Sequence, residues 1–215
     1  MRDLDLIVLD NSIRESTVGQ LRGHTLENKW KIYNEVKKCG FQFKIVAAFS
    51  HMTRVDDTFV KEIVAKEEDV CNLFAFTEII ESVKDGIPDT KSIPVGLSKM
   101  QEFGLINPII EIDLAIDSID WDVFKVQDMC QLLLERMQWS RRMLSPDAKI
   151  MVNLRDFPDA MVYQMERLFI VVDYLGSLSP AERPFGIMYE EPTGKYLPEE
   201  VGAWTAGKLA YLTVV

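Results

Sequence analysis

Asp10, Asn11, Ser12, Arg14 and Glu15 crowd into the short segment Leu9-Asp10-Asn11-Ser12-Ile13-Arg14-Glu15. The apolar run Leu6-Ile7-Val8-Leu9 precedes them and reads as a short buried strand that gives way to a loop. An arginine beside a carboxylate at a strand end can hold an anionic substrate and a metal ion together. A fixed positive charge stabilises negative charge that grows during a reaction. A divalent cation can polarise a carbonyl.

Other candidates follow other strand-like runs. Asn153, Arg155 and Asp156 cluster after Lys149 to Leu154 and suit substrate contact. Asp156 serves equally well as the cap of a helix starting near Pro158. Glu111 and Asp113 alternate with Ile110, Ile112 and Leu114, as polar pocket residues or as structural acids salt-bridged to cations elsewhere. Glu190 and Glu191 are paired acids of the kind used in acid/base work. Thr193 is a candidate substrate contact and, with Gly194, a turn residue. His24 and His51 stand alone in different segments, which argues against a histidine ligand pair. Arg14 and Glu15 are also open to a plain reading as an ion pair.

The elements that must position these residues alternate in type. Strands are expected at about 5–10, 41–49, 70–76, 108–114, 149–154 and 185–189. Helices are expected at about 25–39, 56–66, 94–103, 122–143 and 158–175, with a last one from Pro198 toward Leu209. Thr25 is a plausible N-cap and Gly40 a C′ residue. Residues 77–84 suggest a helical turn, and Ile87-Pro88-Asp89 a loop. The apolar stripe of the long helix comprises Val123, Val126, Met129, Cys130, Leu133, Leu134 and Met137. Trp30, Trp121, Trp139 and Trp204 suit packing between layers.

Six β–α units imply an α/β fold, with a parallel sheet covered by helices. They fit a doubly wound sheet or six of the eight units of a (β/α) TIM-type barrel. No strand is followed by G-x-G-x-x-G, and no G-x-x-x-x-G-K-[ST] occurs, so phosphate-cradling loops lack support. The 215 residues suit one domain. A net charge of −10 argues against binding nucleic acid or anionic membranes. No apolar run approaches the ~18 residues of a membrane span. Cys39, Cys71 and Cys130 form no C-x-x-C pair and read as reduced core residues of a cytoplasmic protein.

The first-strand segment resembles the metal-dependent pyruvate carboxyltransferase and hydroxymethylglutaryl-CoA lyase-like superfamily, which includes isopropylmalate synthase, homocitrate synthase and hydroxyoxovalerate aldolase. Asp10, Ser12, Ile13, Arg14 and Glu15 fit its D-x-[ST]-[LI]-R-[DE] pattern. Ala47-Ala48-Phe49-Ser50-His51 matches the end of its second strand. Glu190 to Pro198 resembles its D-T-x-G-x-x-x-P turn. The resemblance implies a TIM-type barrel over residues 1–215, truncated before strands seven and eight. It implies Claisen or aldol chemistry on a 2-oxo acid or acyl-CoA. Arg14 would stabilise the enolate, and Glu15 would bind a divalent metal such as Mg, Mn, Co or Zn. Beside these two roles, Asn153, Arg155 and Thr193 stand as the candidate substrate contacts by their positions after strands.

The segment departs from the family pattern R-[DE]-G-x-Q: Ser16 follows Glu15, and Gln20 is displaced. The family's H-x-H ligand pair has no counterpart here. A noncatalytic relative, acting as a binding or assembly module, is therefore the alternative to a lyase or acyltransferase. An incomplete barrel would leave sheet edges open, which predicts a homo-oligomer or a missing C-terminal segment.

Overall fold

The computed structural model describes residues 7–15, 25–50, 54–66, 70–191 and 194–212. Strands and helices alternate as the apolar patterning requires. The first elements are β1 (Leu9–Asp10), α1 (Ser12–Glu15), α2 (Leu26–Lys38), β2 (Phe43–Ala48), α3 (Arg54–Lys66) and β3 (Leu73–Glu78). Then come β4 (Val83–Lys84), β5 (Ile87–Pro88), α4 (Val95–Phe103), β6 (Asn107–Ile112) and α5 (Val126–Met143). The last are β7 (Met151–Leu154), α6 (Phe157–Tyr163), α7 (Met165–Ser177), β8 (Gly186–Tyr189) and α8 (Pro198–Leu212).

The fold is α/β. Six strands form one parallel sheet in the order β1-β2-β3-β6-β7-β8, and β4 and β5 form a separate hairpin. Leu9 pairs with Phe43 in β2, and Asn153 pairs with Met188 in β8. Among the described residues, no helix is long and apolar enough to cross a membrane.

The chain divides into two compact units. Unit one comprises Met1–Thr77, Pro94–Ile109 and Ser140–Lys149. Its core includes Ile45, Val46, Phe59, Ile63, Phe74 and Leu97, each almost wholly buried. Thr25 caps α2 as its sequence position suggests, its hydroxyl accepting from the Asn28 N–H at 3.2 Å. Lys29 on α2 is buried against Asp56 on α3, and the Asp56 carboxylate also accepts from the Ala48 N–H at 3.1 Å. Gly96 admits a close approach of α4 to Thr77: an added Cβ would lie 2.3 Å from the threonine Oγ1.

Unit two comprises Glu78–Ile93, Ile110–Trp139 and Ile150–Val215. Its core includes Ile110, Leu133, Met137, Val152, Leu154, Phe157 and Val171. Phe157 stacks on Tyr189 and meets Trp204 edge-on. Arg136 is buried and bonds the carbonyls of Ile79, Thr90 and Ser92, tying α5 to the hairpin segment.

Several sequence expectations need correction. Ile7 and Val8 are 58% and 53% exposed, and the first strand is confined to Leu9–Asp10 among the described residues. The expected helical turn at 77–84 and loop at 87–89 are instead the end of β3 and the β4–β5 hairpin, because Asp85 and Gly86 both take positive φ and form a tight turn. The helix expected at 158–175 is two helices, broken where Gln164 adopts φ −140° and ψ 36°. Val123 is exposed and lies before α5, so the long helix starts later than its apolar pattern suggests. Cys39 and Cys71 are exposed, and only Cys130 is a core thiol.

Candidate functional site

The loop expected after the first strand is the single helical turn α1. Its first residues are held locally: Asp10 accepts from the Ser12 N–H at 3.1 Å and from the Ser12 hydroxyl at 3.0 Å. Arg14 Nη1 donates to Glu15 Oε1, and Asn11 Nδ2 donates to the same oxygen at 2.7 Å. The Arg14 guanidinium lies 4.9 Å from the centre of the Phe76 ring. Arg14 and Glu15 therefore occupy the strand-end position that the sequence suggested, bonded to each other. Thr193, His24, His51 and Gln20 lie outside the described residues.

Among the described residues, no three His, Cys, Asp or Glu side chains converge as a metal site needs. Glu15 already takes two hydrogen bonds on one oxygen. These described residues do not fit a bound metal ion.

A denser constellation lies within unit two. Side chains in strands alternate, so residues two apart share a face. Glu111 and Asp113 keep that spacing along β6 and just past its end; Asn153 and Arg155 do so along β7. Glu190 follows β8, and Glu78 ends β3. All but Glu111 and Asn153 stand at or just past C-terminal strand ends. Asn153 is fully buried, and its Nδ2 donates to Glu190 Oε2 at 2.7 Å and to Glu111 Oε1 at 3.3 Å. Arg155 Nη1 meets Glu78 at 3.2 Å, and its Nε lies 3.6 Å from Asp113 Oδ1. The Arg155 N–H donates to the Ile112 carbonyl at 3.2 Å, which fixes the strand end beneath its side chain.

Burial raises the Asp113 carboxyl to about 6. Arg155 opposes that rise, while Asp156, Glu78 and Glu190 add to it. Burial lowers the proton affinity of Arg155, but Asp113 and then Glu78, Glu111 and Glu190 more than restore it. Arg155 stays a cation beside a carboxyl that titrates near neutrality. Asn153 Oδ1 and Asp113 Oδ1 are buried and accept no hydrogen bond. Asp113 Oδ1 has the Arg155 ion pair at 3.6 Å, but Asn153 Oδ1 has no donor; such a buried acceptor costs about 1–3 kcal/mol, so it is poised for one.

Asp156 does something else. It stands at the N-cap position of α6 but makes no side-chain cap. Its carboxylate accepts from the backbone N–H groups of Leu114 and Ala115 and holds the segment after β6. Glu191 turns away into the next loop, where it accepts from the Gly194 and Lys195 N–H groups. Gly194, at φ 64°, is the turn residue expected. Sequence reading missed Glu78 and the bond from Asn153 to Glu111. The available signal was an acid at or just after three of the sheet strands, β3, β6 and β8: Glu78, Asp113 and Glu190.

Compared with protein-family models and with curated proteins, the chain matches none.

Proposed function

We propose that the chain binds a small carbonyl compound at the strand-end cluster of unit two and moves a proton on the carbon beside its carbonyl. That step is shared by aldol and Claisen bond making and breaking, the chemistry implied by the resemblance at Asp10 to Glu15. On this reading the parallel sheet belongs to a (β/α) TIM-type barrel, whose C-terminal strand ends carry the chemistry. The observation that carries the reading is Asp113 beside Arg155. A carboxyl titrating near 6 is ionised at neutral pH yet basic enough to take a carbon-bound proton. The guanidinium next to it stabilises the enolate oxygen that results. Asp113 accepts the proton, the C–H electron pair moves into the enolate, and the proton returns to carbon when the enolate collapses. Asn153, held by Glu111 and Glu190, lends its buried oxygen as an acceptor for the substrate.

The test is solvent exchange. In D2O, proton NMR follows the α-hydrogens of aminoacetone, hydroxyacetone and an acetyl thioester incubated with the purified chain. At least one should exchange faster than in buffer. Asp113→Asn should lower the rate about 10²–10⁴-fold, as expected for removing a general base. Exchange no faster with the unaltered chain than with D113N would overturn the proposal.

The mutual bonding of Arg14 and Glu15 favours a second reading, a noncatalytic binding module. Saturable binding of a carbonyl compound with no exchange would select it.

A further inference from the structure

The charge around the cluster selects what can enter it. Among the described residues, Arg155 is the cation whose charge reaches Asp113, against the acids Asp156, Glu78 and Glu190. Arg155 is itself engaged by Glu78 and Asp113. Glu190 bonds the Asn153 amide nitrogen, which leaves the amide oxygen buried and without a donor. Asp113 Oδ1 is buried and faces Arg155 Nε at 3.6 Å, so its cation is already in place. An orphaned acceptor among carboxylates calls for a group that brings N–H donors and positive charge together.

We propose that the ligand of this cluster carries a primary ammonium group, seated between the Asn153 amide oxygen and the carboxylate of Glu190. An ammonium offers three donors and no acceptor, which matches the need. A metal ion matches it poorly, since no three ligating side chains converge among the described residues. A carboxylate or phosphate would meet the same acids and be repelled. A neutral alcohol satisfies an orphaned acceptor but gains nothing from the surrounding charge. This inference rests on the cluster being a substrate site, and it makes that substrate an amino-carbonyl compound.

The test uses the full chain labelled with ¹⁵N and three probes of similar size: ethylammonium, ethanol and acetate at equal ionic strength. Ethylammonium should shift the backbone amides of Leu114, Asn153, Arg155 and Glu190 in a saturable way, with ethanol and acetate much weaker. Glu190→Gln should weaken ethylammonium roughly tenfold, the worth of one charge-assisted hydrogen bond. Arg155→Gln removes the competing cation and should strengthen it, a result that damage to the fold would not produce. Equal shifts with acetate or ethanol, or ethylammonium binding indifferent to both substitutions, would overturn the inference. Proton exchange without ammonium binding would sink the ligand class and leave the proposed function standing. Ammonium binding without exchange on any carbonyl probe would do the reverse.

Discussion

Asp113 shows how one residue can be costly to the fold and useful in the site. Its carboxyl titrates near 6 in the folded chain against 3.8 for an ordinary aspartate. A raised carboxyl pKa means that the folded state binds the proton more tightly than the unfolded state. Stability is therefore highest below the ordinary value and falls as pH rises through about 6. Asp113→Asn should stabilise the chain at neutral pH by about 1–2 kcal/mol, after discounting for solvent screening. Thermal melts at pH 4 and pH 7.5 check this: the gain should appear at the higher pH and shrink at the lower. A destabilised D113N at neutral pH would contradict it.

The buried pair of Lys29 and Asp56 has the opposite logic. Desolvation lowers the lysine pKa most, Asp56 works against that, and Arg14 adds to it. Asp56→Asn leaves a buried ammonium without its counter-charge and should cost about 3–5 kcal/mol. Replacing both residues with apolar ones should cost far less, which denaturant titration of the two variants can compare. Among the thiols, burial pushes Cys130 up to about 11, whereas Cys39 and Cys71 are exposed. A thiol reagent should label two cysteines in the native chain and the third only on unfolding. Three fast thiols would contradict the core position of Cys130.

At the scale of elements, the sequence was most readable where local chemistry and burial agree. Thr25 and Gly40 bracket α2 because a hydroxyl cap and a left-handed glycine are strong local signals. The β4–β5 hairpin was not read, although Asp85-Gly86 carries a strong tight-turn signal: a helical turn at 77–84 and a loop at 87–89 were expected instead. The apolar residues on either side obscured it. The break at Gln164 was not legible: no glycine or proline marks it, and buried Phe157, Ala160, Leu168 and Val171 keep helical spacing across it. The start of the first strand misled because Ile7 and Val8 look like core residues and are exposed.

Gly86 and Gly40 offer a direct comparison of turn requirements. Both have φ near 80°, but a Cβ on Gly86 would lie 2.7 Å from Asp120 Cβ, whereas one on Gly40 meets nothing within 4 Å. Gly40→Ala should cost about 1 kcal/mol for its backbone alone. Gly86→Ala should cost more, because Asp120 must also move. Equal losses in denaturant titrations would show that the Asp120 contact carries no energy.

For the whole molecule, alternating strands and helices made the α/β class and the six-stranded parallel sheet readable from periodicity. The site was only partly readable. Asn153 and Arg155 were singled out, but the acids around them lie on three different strands or their ends, and their convergence is a tertiary fact that spacing does not contain. The sheet order ends on β1 and β8 among the described residues. Open edges template pairing, so light scattering should find the 24.7 kDa chain associated. A well-behaved monomer would contradict that.

The pH dependence of α-proton exchange tests the role of Asp113 most directly. With a carbonyl probe that exchanges, the rate should rise with pH through an apparent pKa near 6 and level off above it. D113N should lose both the rate and that titration. A rate independent of pH across this range, or the same titration retained in D113N, would contradict Asp113 as the base.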